Sequence, residues 1–299
     1  MGHAPRCVGR PVSETGMMPI RQAMTKAAIG DGTVDGRLRR IEGRHNALVK
    51  KLRAAFAQGD LTEEGECAIE GIRIIEEAIR SGVKFRAVFF SQHAKSKAER
   101  LLPQIAAYAE TLLLPDKLFA SVVPSESPQG VAALARCKAF TLEEVVSRAQ
   151  AGPLLAIAGV QDPGNLGTMI RSAEAFGAAG VLAGEGTASP FNSKAVRASA
   201  GSVFRVPITR APLLETLDQF RERGVQMIAT SSHKAVPLQD AELAGAIAVF
   251  VGSEGSGLPR ELLKAMNQVV AIPHSASVES LNAGVAASII LYEIARRRG

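Results

Sequence analysis

The sequence predicts an α/β protein of two domains, the second built on a mostly parallel sheet covered by helices on both faces. Three observations carry this. The chain of 299 residues exceeds the usual single-domain size and falls short of three domains. Its second half alternates short apolar runs with segments of helical period, and its first half, behind a polar leader, does the same on a smaller scale. With 46% apolar residues and no Trp, the core must be built from Ala, Val, Leu and Ile.

Residues 1–36 are short on periodicity and contain Met17, Met18 and Met24, which reads as a leader, disordered in part or lying upstream of the natural start. Positive charge concentrates nearby. Residues 1–53 hold eleven Lys/Arg against four Asp/Glu, or +7, in a chain whose net charge is +6, so the remainder stands at −1. A polyanion partner such as nucleic acid fits this asymmetry, and so does a solvated basic leader.

Residues 37–140 read as a small α/β domain. From Arg37, RLRRIEGRHNALVKKLRAAF places Ile41, Leu48, Leu52 and Phe56 near helical spacing with Arg and Lys between them, a basic amphipathic helix or helix pair. A strand at 67–69, a helix at 72–80 stopped by Gly82, and a strand at 86–90 follow. AERLLPQIAAYAETLLLP repeats helix then strand, and SVVPSESPQGVAALARC turns into another apolar strand. Residues 141–152, TLEEVVSRAQAG, begin with a Thr-x-x-Glu capping box, close at Gly152, and read as a link.

In residues 153–299 the strands are expected at 154–160, 180–183, 225–230, 247–252 and 269–272, with helices at 168–176, 213–223, 259–266 and 281–297. Ligands bind such sheets at the carboxyl ends of the strands. Function is therefore expected on loops 161–167, 252–258 and 273–281, where polar residues and Gly cluster.

Cys7, Cys67 and Cys137 are far apart in sequence, with no CxxC and no nearby His, so neither a disulfide framework nor a zinc site is supported. Reduced thiols of a cytoplasmic protein are expected. No apolar run reaches the ~18 residues that span a bilayer, and no signal-peptide core is evident.

In VQDPGNLGTMIRSAEAFG, Asn165 and the glycines offer free N–H groups at a helix start, and Arg171 can reach a phosphate or hydroxyl. The plainer alternative has Asn165 capping the helix and Arg171 in a surface ion pair. The glycines stand as GxxG, which disfavours a nicotinamide cofactor. In VGSEGSGLPRELL, Gly252, Gly255 and Gly257 let backbone approach a flat ligand around Glu254, and Pro259 starts a helix. In AIPHSASVESLNAGVAASIILYEIARRR, Ser280, Leu281 and Asn282 sit where the last helix begins, Ser280 being also a plain helix cap.

Taken together, Asn165 and Arg171, then Gly252, Glu254 and Gly257, then Ile272, Pro273, Ser280, Leu281 and Asn282 resemble the three ordered motifs of the SpoU/TrmH family of RNA ribose 2′-O-methyltransferases, within the SPOUT superfamily. SPFNSKAVRASAGSVFRVPI, residues 189–208, is similar to the family's segment between a polar loop and a buried strand. Residues 41–136 resemble the substrate-binding domain often found before it, itself similar to RNA-binding ribosomal proteins, at Arg44, Asn46, Lys50, Glu70, Gly71 and PQGVAAL. The third motif departs from the family pattern: His274 stands for Met and Ala276 for Gly.

The resemblance implies a C-terminal α/β knot holding S-adenosylmethionine, a trefoil topology that ordinary connection rules would not suggest. It implies cofactor contacts from Gly252, Glu254, Gly257, Ile272, Ser280 and Leu281, with His274 in the pocket wall rather than acting as a base. Arg171, Asn165, Ser280, Asn282 and Glu254 are implied as the catalytic set, and no metal is required. A guanidinium stays protonated, so Arg171 is expected to stabilise a developing alkoxide rather than remove a proton. The acceptor is expected to be structured RNA, ribosomal before transfer RNA, held by Arg44, Asn46, Lys50, Lys194 and Arg197. A homodimer is also implied. Val285, Ile289 and Tyr292 of the last helix serve either that contact or the core, with the core favoured. The rival readings are a non-catalytic RNA-binding protein on the same fold and, further off, a dehydrogenase.

Overall fold

The computed structural model describes residues 34–231, 235–275 and 277–298. The expected leader up to residue 33, Cys7 and Ala276 lie outside the described residues.

The first sheet follows α1 (Val34–Arg37). Its elements are β1 (Arg39–Arg40), α2 (Ala47–Gln58), β2 (Glu66–Glu70), α3 (Ile72–Arg80), β3 (Lys84–Ser91), α4 (Lys95–Leu101), β4 (Glu110–Leu114), α5 (Asp116–Ala120) and β5 (Val131–Arg136). Strand order is β1-β4-β3-β5-β2, with β5 antiparallel to both neighbours. Both faces are buried, which explains the unbroken apolar run of β3: Val88 and Phe90 enter one core, Ala87 and Phe89 the other.

The helix expected from Arg37 is interrupted. Arg39 and Arg40 pair with Leu112 and Leu113 of β4, and Ile41 N–H continues to Leu113 O. α2 starts only at Ala47, where Asn46 Oδ1 accepts the N–H groups of Leu48 (3.0 Å) and Val49 (3.3 Å). Cys67 and Cys137 are free thiols, as expected, but the fold brings them together. Their sulfurs, 70 residues apart in sequence, lie 3.3 Å from each other where β2 meets the end of β5. Hydrogen bonding to Cys137 and burial push the Cys67 thiol well above its ordinary range.

The second sheet carries α6 (Leu142–Val146), β6 (Leu154–Ile157), α7 (Pro163–Ala175), β7 (Gly180–Ala183), α8 (Ser193–Ala198), β8 (Ile208–Arg210), α9 (Leu213–Glu222), β9 (Gln226–Thr230), β10 (Val236–Pro237), β11 (Ile247–Val251), α10 (Arg260–Ala265), β12 (Gln268–Ala271) and α11 (Ala283–Arg298). Its order is β10-β12-β9-β11-β6-β7-β8, and all its ladders are parallel. Alternation again sorts side chains. Leu155, Ile157 and Val249 share a core with Leu166 and Ile170 of α7 and Ile290 of α11, while Leu154, Ala156 and Phe250 share one with Val145 of α6 and Phe220 of α9.

Residues 141–152 do not hang between the domains. The capping box of Thr141 and Glu144 forms, and Val145, Val146 and Ala149 are buried in the second domain's core. The two domains share apolar packing, since Ile69 and Ile75 belong to the same cluster as Ile170, Val196 and Val203. Ion pairs cross this joint: Arg205 to Glu77 at 3.1 Å, Arg210 to Asp60 at 3.1 Å, and Arg197 to Glu70 at 3.9 Å. No described helix is long and apolar enough to cross a membrane.

Candidate active site

Because the ladders are parallel, the loops leaving β6, β11 and β12 emerge on one edge of the sheet. The first differs from expectation, because most of it is helix. Asp162 caps α7, accepting the N–H of Asn165 at 2.9 Å, and Pro163 takes the first helical position. Gly167 serves packing rather than an anion cradle. A Cβ there would lie 2.5 Å from Ala195 O and 2.5 Å from Ala198 Cβ, so α7 reaches α8 only without one. Arg171, two turns into α7, is exposed and makes no hydrogen bond or ion pair among the described residues.

The second loop closes on itself. Gly257 N–H donates to Ser253 O at 2.9 Å, with Gly257 at φ +65° in the left-handed region. A Cβ on Gly252 would stand 2.1 Å from Gly257 C, so the closed turn itself demands glycine. The tip presents Glu254 to solvent.

Glu254 gathers the other two loops. Its Oε1 accepts from Asn165 Nδ2 at 2.5 Å and Asn282 Nδ2 at 2.7 Å, while Asn282 Nδ2 also donates to Asn165 Oδ1 at 3.0 Å. Asn282, not Ser280, begins α11, its Oδ1 accepting Val285 N–H at 3.2 Å. Both amides are thereby oriented. Asn165 keeps one N–H uncommitted, whereas both Asn282 donors are used.

A cleft of about 260 Å³ lies behind this junction. Gly252, Glu254, Gly257, Ile272, Ser280 and Leu281 all line it, as does His274. The His274 Nδ1–H donates to Ile272 O at 2.7 Å, which leaves Nε2 as the nitrogen open to a ligand. Leu258, Leu263, Val270 and Ala286 supply the apolar wall. Thr230 and Ser231 also line the cleft and were not singled out by the sequence reading. Thr230 ends β9 and Ser231 follows it, and the strand-end rule applied to a fourth strand would have found them. Arg171 does not line the cleft.

The expected RNA contacts divide. Arg44, Lys50 and Lys194 are exposed. Asn46 uses its side-chain oxygen as a helix cap, and Arg197, also exposed, lies 3.9 Å from the buried Glu70. Val285 and Tyr292 do not join the core. They are 46% and 53% exposed, because α11 packs on α7 through Ala287, Ile290 and Ile294 instead. No cluster of three metal-ligating side chains is found among the described residues.

Residues 153–292 match the SpoU rRNA Methylase family, and residues 46–133 match the MRM3-like substrate binding domain. The chain is also 32% identical over 257 residues to the 23S rRNA (guanosine(2553)-2′-O)-methyltransferase RlmP of Bacillus subtilis, covering 86% of this chain and 99% of that protein. This chain belongs to the SpoU rRNA methylase family. Solved members of similar shape include the AdoMet-bound rRNA methyltransferase from Sinorhizobium meliloti, with TM-score 0.77 and 28% identity over 88% of this chain and 99% of that one. The SpoU methyltransferase AviRb from Streptomyces viridochromogenes, in complex with AdoMet, follows with TM-score 0.73 and 27% identity over 85% and 98%.

Proposed function

We propose that this SpoU family member transfers a methyl group from S-adenosylmethionine to a ribose 2′-hydroxyl of structured RNA, ribosomal RNA first. One observation carries the reading: a hydrogen-bonded junction of Asn165, Glu254 and Asn282 at the mouth of a cleft lined by the third-loop residues Ser280 and Leu281. The cleft fits the cofactor by its chemistry. An apolar wall of Leu258, Leu263 and Val270 suits a flat base, and Thr230, Ser280 and His274 offer hydrogen bonds for its polar groups. The bound cofactor supplies an already activated sulfonium methyl.

The protein's task is then alignment and one charge. The remaining Asn165 N–H and the Ser280 hydroxyl position the acceptor, and Glu254 holds the two amides. Arg171, with no partner among the described residues, stabilises the ribose oxygen as its proton passes to solvent water. Only RNA presents the 2′-hydroxyl. Arg44, Lys50, Lys194 and the exposed Arg197 take its phosphates, with Asn46, whose side-chain oxygen caps α2, beside them. The homodimer belongs to the same proposal, with the exposed Val285 and Tyr292 at the contact. So do the knot, which the resemblance implies, and a cytoplasmic location.

The test is methyl-labelled S-adenosylmethionine with purified protein and ribosomal or transfer RNA, followed by mapping of the ribose methyl. Label is expected on ribosomal RNA at a 2′-oxygen. Arg171→Ala is expected to lower transfer about a thousandfold while cofactor affinity stays within about twofold. An Arg171→Ala enzyme as active as its parent would remove the assigned role.

A further inference from the structure

A solvent-facing arginine on a helix can pair with a carboxylate one turn away, and α7 places Glu174 three residues after Arg171. The pair does not form, because Glu174 is held elsewhere. Arg205 grips it with two parallel hydrogen bonds, Nε to Oε1 and Nη2 to Oε2, the latter at 2.9 Å. The same guanidinium donates through Nη1 to Glu77 Oε2 at 3.1 Å and to Ser81 Oγ at 2.9 Å, which places its other side on α3 and the residue that follows it in the N-terminal domain. One arginine thus joins the helix bearing Arg171 to the substrate-binding domain.

We infer that Arg205 is a positioning residue for methyl transfer: by sequestering Glu174 it keeps Arg171 uncommitted and available to the acceptor ribose. The inference rests on the role given to Arg171 above. Charge supports it, since hydrogen bonding to Arg205 lowers the Glu174 carboxyl below its usual range and keeps it an anion that must be neutralised. Without Arg205, that anion remains one turn from Arg171 and competes with the substrate. Glu77 would still have Arg80 as a partner. Neither Arg205 nor Glu174 lines the cofactor cleft, so cofactor binding is a built-in control.

Steady-state kinetics of four variants, with a thermal melt of each, decide the matter. Arg205→Met is expected to lower kcat about fivefold, the scale on which a surface carboxylate competes for one guanidinium, with KM for S-adenosylmethionine unchanged. Glu174→Gln, which lacks the joint's bidentate ion pair but leaves no stray anion, is expected to keep at least about half the parental kcat. The double variant Arg205→Met/Glu174→Gln is expected to recover to within about twofold of the parent, and Arg205→Lys, still able to neutralise Glu174, to fall between. If Glu174→Gln is as damaging as Arg205→Met and the double variant no better, Arg205 merely joins the domains and the inference fails. A fully active Arg205→Met overturns it too. An active Arg171→Ala, assayed alongside, marks failure of the parent reading instead.

Discussion

Two polar junctions sit at the two ends of α7, and they are built on opposite principles. At the cleft mouth, the carboxylate of Glu254 is held by two neutral amides, so its charge is not cancelled, and Arg171, six residues along α7 from Asn165, has no side-chain partner among the described residues. At the domain joint, Glu77 and Glu174 meet Arg205, Asp60 meets Arg210, and Glu70 meets Arg197. Matched charges fix one rigid arrangement. Uncancelled charges keep a surface receptive, because a ligand then supplies the missing counter-charge. The joint therefore ties the two domains together, whereas the mouth keeps a carboxylate held only by neutral amides.

The largest effect is expected at the mouth. Glu254→Ala frees both amides to solvent, and methyl transfer is expected to fall about a hundredfold through misplacement alone, with little change in the melting curve. A parental rate would mean that the junction has no part in alignment. At the joint the expected effect is on stability instead. Gly201, at φ +87°, sits where a Cβ would lie 2.6 Å from Glu77 Cβ. Gly201→Ala is expected to cost about 2 kcal/mol, read as a lower urea midpoint, with cofactor affinity kept. Loss of cofactor affinity there would show the two junctions to be coupled more tightly than their geometry implies.

The smallest effect belongs to the surface of α11. Hydrogen bonds from Arg296 and Arg297 lower the Glu293 carboxyl to about 2. A lowered folded-state value stabilises above the ordinary carboxyl range and loses that contribution as pH falls from 4.5 toward about 2. Glu293→Gln is expected to reduce Tm by about 1 °C at neutral pH, the difference closing on acidification through that window. A gap that widens in acid would reverse the sign of this linkage.

Element types were well marked in the sequence where burial follows a local period. The helix at 72–80 and the strand at 180–183 fall on the residues where the structure has them. Boundaries failed where a side chain chose a distant or capping role. Asn46 and Asp162 moved two helix starts by bonding backbone N–H groups, and Arg39 and Arg40 left a helical pattern to pair with β4. Gly167 and Gly252 looked like ligand cradles because glycine reports only that something comes close. The structure shows the protein's own chain packed against both sites, with Gly252 lining the cleft as well.

The sequence alone determined the alternating α/β order, the polar loops at strand ends and the family they resemble, because periodicity, caps and motifs act over a few residues. Only the tertiary structure decided which partners meet: Asn165 with Glu254 across 89 residues, Asn165 with Asn282 across 117, Cys67 with Cys137, and Glu174 with Arg205 in place of Arg171. Hydrogen bonds and ion pairs form over about 3 Å of space whatever the separation along the chain. Their choice is settled only when the sheets have packed.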